Sequence, residues 1–230
     1  VSRHAIVLAA GAGSRLADVE PVKPLTLVGG RPLLLHVIGT LALAGAQSVT
    51  VVTGHAAEAV EAVLADSPVP ATAVRNPRWA DAPNGVSLLA ARSAVRPGTF
   101  LCMADHLIAP VLAGRLVAGA GNSALALGVD RRLGHPWVDE ADVTRVRTDG
   151  EAIRAIGKGL AVYDSYDTGL FLIGPELVAA LEASARPSLS DGVATLATQG
   201  LARAVDVGDA PWLDVDDARA LWLARTRWRA

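Results

Sequence analysis

Cysteine occurs once in the 230 residues, at Cys102 inside an apolar run. No internal disulfide can brace the chain, which agrees with a cytoplasmic setting. Neither sign of charge is in excess: the formal net charge is −2. Nothing global therefore attracts nucleic acid or anionic lipid, and a polyanionic ligand would need local positive charge or a metal. Mean hydropathy is +0.36, yet long apolar runs are missing. Leu107 to Val129 is interrupted by Pro110, Arg115 and glycines, and Leu33 to Ala46 is short and carries His36. Neither offers the ~20 uninterrupted apolar residues of a spanning helix. The opening Val1-Ser-Arg-His lacks the charged-then-apolar pattern of a signal peptide. These absences lead us to expect a cytoplasmic protein with no nucleic-acid partner and no membrane insertion in this chain. Lysine is nearly missing too: of 21 basic residues only Lys23 and Lys158 are lysines. In a chain that uses Arg wherever either would serve, a surviving Lys is expected where a compact, rotatable ammonium is needed.

What is present starts with Val7-Leu-Ala-Ala-Gly-Ala-Gly-Ser-Arg-Leu16 and, shortly after, Lys23-Pro24-Leu25. Ala5 to Ala10 reads as a buried strand that Gly11 and Gly13 end in a loop. Two glycines let backbone N–H groups approach a ligand with no Cβ in the way. Ser14 adds a hydroxyl donor, Arg15 a fixed fork of donors and Lys23 a compact charge, a combination suited to a polyphosphate. Taken alone, G-x-G after a strand is equally a tight turn. The run lacks the Gly-Lys-Ser/Thr of a kinase-type loop, and Leu16 stands where a dinucleotide fingerprint needs its third glycine.

Strand, G-x-G-[S/T]-R-L and then K-P-L resembles the signature of the nucleotidyltransferases that activate phosphorylated sugars and alcohols. The resemblance implies that the loop, Leu8, Ala9, Ala10, Gly11, Ala12, Gly13 and Ser14, wraps a nucleoside triphosphate, with Arg15 and Lys23 on its phosphates. It also implies that Asn84, Gly85 and Ser87 read the base, where the residues alone would equally fit a capped helix start.

Along the chain, helical periodicity over Pro32 to Ala44 stops at Gly45. Ser48 to Thr53 reads as a parallel strand, Ala56 to Leu64 as a helix, Ala71 to Arg75 as a strand, and a helix runs from Asn84 to Ala94. This alternation predicts a doubly wound sheet with its crevice at the carboxyl ends of the strands. Thr99 to Ala104 is another buried strand, followed at once by Asp105-His106. A carboxylate facing a crevice there needs a cation, and hard oxygen ligands suit Mg²⁺, so Asp105 is a candidate metal ligand. His106 either orients substrate or caps the next turn. In the second half helices become scarce until Pro175. Ala124 to Gly128 and Thr144 to Thr148 read as strands, and Asp149-Gly150 as a hairpin turn into Ala152 to Ile156. Lys158, between two glycines, is open to a phosphate. Asp167 and Thr168 offer an acceptor and a donor to hydroxyls, or form an ordinary turn. Alternation puts Asp214 and Asp216 on one face before a last helix starting near Asp217. Asp214 pairs with Asp105 as a metal carboxylate, and Asp216 is either a third or an N-cap.

Asp105-His106, Trp137-Val-Asp139-Glu140 with Thr144, Gly157-Lys158-Gly159-Leu160, Asp167-Thr168-Gly169-Leu170-Phe171, Ser190-Asp191-Gly192 and Trp212-x-Asp214-Val-Asp216 look, in order, like the CTP:inositol-1-phosphate cytidylyltransferases. The resemblance implies an α/β fold, a single Rossmann-like, glycosyltransferase-A-like domain over 1–230 with a mixed, mostly parallel sheet flanked by helices. Residues 1–110 would form the nucleotide-binding half and 111–230 the acceptor-binding half. It implies CTP and a small phosphorylated alcohol as substrates, Mg²⁺ as cofactor, and a membrane-bound phosphatidyltransferase domain or partner downstream; the chain is either stand-alone or a cut-out domain. The expected chemistry needs no general base, because a phosphomonoester with second pKa of about 6 is already anionic at neutral pH. Arg15 and Lys23 are assigned to the triphosphate, Lys158 and His106 with Asp167 and Thr168 to the acceptor. The nearest alternative is a phosphocholine or aminoalkylphosphonate cytidylyltransferase, with Trp137, Tyr163 and Tyr166 as a choline cage. A non-catalytic nucleotide-sensing domain and a nicotinamide dehydrogenase stand further off.

Overall fold

The computed structural model describes residues 3–13, 15–16 and 19–229. In chain order, β1 (Arg3–Ala9) leads through the glycine loop and a 3-10 turn (Lys23–Leu25) to a small hairpin, β2 (Leu27–Val28) and β3 (Arg31–Pro32). Then come α1 (Leu33–Leu43), β4 (Ala46–Thr53), α2 (Ala57–Ala62), β5 (Ala71–Arg75), α3 (Asn84–Ala90) and β6 (Thr99–Met103). Next come β7 (His106–Ile108), α4 (Pro110–Gly119), β8 (Leu125–Asp130), β9 (Arg145–Asp149), β10 (Ala152–Gly157) and β11 (Ser165–Ile173). Last come α5 (Pro175–Glu182), α6 (Leu189–Thr198), β12 (Ala202–Asp206), β13 (Trp212–Asp214) and α7 (Ala218–Arg227).

One sheet runs in the order β5-β4-β1-β6-β11-β8-β12-β10-β9. β5, β4, β1 and β6 are parallel; β11 opposes β6 and β8, β12 is parallel to β8, and β10 opposes β12 and β9. Every strand of this sheet except β11 and β10 therefore points the same way, which is the mixed, mostly parallel arrangement anticipated above. β1 shows why its sequence is apolar from Ala5 onward, after the half-buried Arg3 and His4. Ala5, Val7 and Ala9 face α1 and α4 through Leu34, Ile38, Leu41, Leu112 and Leu116. Ile6 and Leu8 face the other layer, with Leu88 of α3, Leu177 and Leu181 of α5, and Leu196 of α6. A strand covered on both faces buries every side chain, each worth roughly 1.5–3 kcal/mol for a large aliphatic. A third cluster, including Leu16, Leu33, Leu107, Leu213 and Leu221, fastens α7 beside the glycine loop.

Three helices depart from expectation. α4 carries Gly114 and Gly119, each costing about 1 kcal/mol against Ala in a helix, yet it forms because Leu112, Ala113 and Leu116 bury on the sheet. Gly119 is required there: a Cβ would lie 2.5 Å from Val205 Cγ1. α6 starts at the Ser190-Asp191-Gly192 run, where the Ser188 hydroxyl accepts from the Asp191 N–H at 3.1 Å. The helix expected through Ala94 ends at Ala90, and a separate 3-10 turn covers Arg92–Ala94.

Candidate active site

From β1 the chain steps outward to β4 and β5, then returns to place β6 on the other side of β1. The carboxyl ends of β1 and β6 flank this reversal of strand order, where parallel sheets open a crevice. β1 delivers the glycine loop there and β6 delivers Asp105. The β7–β13 ladder pairs His106 with Asp214, and the Val215 N–H donates to the Asp105 carbonyl at 3.0 Å. Residues more than a hundred positions apart are thus locked together by strand register.

Lys23 is 5% exposed. Its ammonium lies 2.6 Å from Asp105 Oδ2 and also donates to Asp216 Oδ1. Gly13 sits at φ +62°, and a Cβ there would fall 2.6 Å from Lys23 Cβ, so the loop can pass this close only with glycine. Arg15 pairs with Asp216 and, at 2.7 Å, with Asp142 Oδ2. The Lys158 ammonium donates to Asp142 Oδ1 at 2.5 Å. Asp105 Oδ1 takes a 2.7 Å hydrogen bond from His106 Nδ1. The His106 ring packs on Gly169, where any Cβ would lie 2.1 Å from His106 Cδ2.

The charges explain one another. Burial opposes ionisation of Asp105, but Lys23 and His106 outweigh it and hold the carboxyl well below its usual range. Burial alone would lower the His106 pKa; Asp214 and Asp105 instead raise it to about 9. Asp167 is pushed up to about 6, chiefly by burial. Burial also raises Asp214, whose Oδ1 is buried without a hydrogen-bond partner among the described residues. Carboxylate and imidazole atoms of Asp105, His106 and Asp214 lie within 4.8 Å of one another, as do those of Asp142, Asp214 and Asp216. An orphaned carboxylate oxygen amid hard oxygen donors is what a divalent cation would complete.

Two cavities meet here. Leu8, Ala9, Gly11, Gly13, Lys23 and Asp105 line the first. Asn84, His106, Trp137, Lys158, Asp167 and Asp214 are among those lining the second. Arg15 and Asp216 line both and form the shared wall.

The structure corrects several expected roles. Thr168 is fully buried and its hydroxyl donates to the Gly128 carbonyl at 2.8 Å, so it is not offered to an acceptor. Gly85 is not an opening for a flat ligand: a Cβ would lie 2.3 Å from the Pro187 carbonyl oxygen, and the glycine serves the packing of α3. The buried Ser87 hydroxyl accepts from Asn76 at 3.0 Å, and Asn84 Oδ1 accepts from the Leu189 N–H at 2.9 Å although Asn84 also reaches the second cavity. Ala10 is buried in the core behind the loop, its carbonyl accepting from the His55 N–H at 2.9 Å. Ala12 is half-buried and outside the described lining of both cavities. Ser14 lies outside the described residues. Asp216 is not the N-cap of α7; Asp217 is, accepting from the Ala220 N–H. Sequence reasoning missed Asp142, the third acid of a polar turn, whose importance appears only once Arg15 and Lys158 are seen on either side of it.

A family described as the MobA-like NTP transferase domain matches residues 5–167. The chain belongs to this family. It is a nucleotidyltransferase, and the Rossmann-like α/β fold is that of solved nucleotidyltransferases. Over 225 residues it is 37% identical to a bifunctional IPC transferase and DIPP synthase of Rubrobacter xylanophilus, covering 96% of this chain and 50% of that protein. It is 33% identical over 231 residues to a CMP-5'-(3-aminopropyl)phosphonate synthase of Streptomyces rubellomurinus, covering 93% of this chain and 37% of that one. The nucleotidyltransferase chain thus spans half or less of the length of these relatives. Among solved structures, the inositol-1-phosphate CTP transferase from T. maritima superposes with a TM-score of 0.86 at 23% identity, covering 100% of this chain and 98% of that one. No described helix is long and apolar enough to cross a membrane.

Proposed function

We propose that this nucleotidyltransferase moves CMP from CTP to inositol 1-phosphate, releasing pyrophosphate and forming CDP-inositol. The observation that carries the reading is the pair of cavities with cations at their junction: Lys23 in one, Lys158 in the other and Arg15 in the wall between. The 37% identity to the IPC transferase supports inositol phosphate as the acceptor.

Asp105, Asp214 and Asp216 would hold Mg²⁺, which when bound supplies positive charge against the triphosphate. The chain's own residues do the rest. Lys23 and Arg15 bind triphosphate oxygens, and Gly11 and Gly13 let the loop backbone approach them. Lys158 takes the acceptor phosphate, with His106 and Asp167 beside it. Holding two anions in line lowers the cost of their encounter, and placing cations where charge builds up stabilises the transition state. No residue needs to remove a proton, because the acceptor oxygen is already anionic at neutral pH.

The aminoalkylphosphonate reading has the Streptomyces relative in its favour. The phosphocholine reading loses its cage: Tyr166 is fully buried with its hydroxyl on Glu140, and Arg145 covers the Tyr163 ring at 4.6 Å. Pyrophosphate release should be measured for the four nucleoside triphosphates against inositol 1-phosphate, phosphocholine and 3-aminopropylphosphonate. CTP with inositol 1-phosphate should turn over fastest; turnover of another pair with none for this one would end the proposal.

A further inference from the structure

Asp142 has no part in the transfer described above, yet it closes the acceptor cavity electrostatically. Its two oxygens are divided between two cations that reach that cavity from separate loops, Lys158 and Arg15, the second of which also pairs with Asp216. Oδ1 accepts from Lys158 at 2.5 Å and Oδ2 from Arg15 at 2.7 Å. The carboxylate therefore stands where an incoming phosphate would find its partners. The turn that carries it does not depend on those bonds. Asp142 and Val143 N–H both donate to the Asp139 carbonyl, at 3.1 and 2.9 Å. Glu140, two residues earlier, accepts from the Tyr166 and Tyr163 hydroxyls.

We infer that Asp142 is a tethered stand-in for substrate phosphate, a gate that the more highly charged acceptor head group displaces from Lys158 and the triphosphate displaces from Arg15. The inference rests on reading those two side chains as phosphate-binding cations. A phosphomonoester brings a charge of about −1.5 to −2 and three acceptor oxygens, against one charge and two oxygens on the carboxylate. It wins the exchange, while a hydroxyl or a singly charged group does not. The latch is weak enough to open. Arg15 and Lys158 side chains are 48% and 58% exposed, and pairs so exposed are worth little each. Burial works against the charge on Asp142, but Lys158 and Arg15 hold its carboxyl below the usual range, so the gate is ionised at neutral pH.

The test is titration of the full chain with inorganic phosphate in EDTA, followed by calorimetry. Asp142→Asn, which keeps the shape and removes the charge, should bind phosphate about three- to tenfold more tightly than the parent. Asp142→Glu should bind it like the parent, and the gain should vanish in the Asp142→Asn, Lys158→Ala double variant. A side chain that merely held the turn would give equal or weaker phosphate binding in Asp142→Asn, and either result overturns the gate. Inorganic phosphate carries neither inositol nor cytidine, so an error in the assigned substrates would leave this outcome unchanged.

Discussion

Lys23 answers two carboxylates from a position 5% exposed to solvent, and Asp105 answers both Lys23 and His106. Removing one preorganised charge from such a site typically costs ~10²–10³ in rate. Lys23→Ala and Asp105→Ala should each lose that much pyrophosphate release while keeping the far-ultraviolet circular dichroism of the parent; near-normal turnover in either would break the assignment. His4 supplies a pH effect away from the site. Its ring nitrogens meet the Ser48 and Thr50 hydroxyls at 2.8 and 3.0 Å, and burial, then Arg96, lowers its pKa. The folded value lies below the unfolded one, so on acidification the unfolded chain takes the proton first. Stability should fall as pH drops through about 6.5 and on to the folded pKa. Melting temperatures across that window should fall more steeply for the parent than for His4→Gln. Individual residues were legible in the sequence where position in a motif fixed their direction. Lys23 stands in the Lys-Pro-Leu turn that follows the glycine loop, and Asp105 just past the end of β6 at the mouth of the crevice. Thr168 carries no such signal, since nothing local says whether a hydroxyl beside a glycine turns toward a cavity or toward the Gly128 carbonyl.

Elements were legible to the extent that their periodicity was uninterrupted. β5 is found at Ala71–Arg75, as its pattern indicates, whereas α4 was hidden by the helix-weakening Gly114 and Gly119. Gly119 is explained only by Val205 of the partner strand β12, which no local reading contains, and Gly114 meets nothing within 4 Å that would require it. The short β13 depends on a similar distant partner. Trp212 Nε1 donates to Asp130 Oδ2 at 2.8 Å, and Arg132 makes a two-pronged contact with the same buried carboxylate. Asp130→Ala would leave the indole N–H and the guanidinium without their acceptor, at a cost of about 3 kcal/mol. Chemical denaturation should report that loss, and because Trp212 is two residues from Asp214, turnover should fall with it. A change under 0.5 kcal/mol would mean that water replaces the carboxylate freely.

At the scale of the molecule, the parallel strands β5, β4, β1 and β6 join the second half through β11, and the crevice draws side chains from both sides of that join. Arg15, Lys23 and Asp105 come from the first half, Asp142, Lys158, Asp214 and Asp216 from the second. The alternation of strands and helices anticipated the first half well. Mixed pairing beyond β6 depends on long-range register, and so does the meeting of Asp105 with Asp214. The single wall of Arg15 and Asp216 between the cavities bears on how the reaction ends. A molecule with cytidine at one tip and a polyol at the other would lie across that partition and crowd out both reactants together. Under the proposed activity CDP-inositol has this form, and added CDP-inositol should raise the apparent KM for CTP and for inositol 1-phosphate alike. The catalyst would then slow itself wherever its own output is not drained.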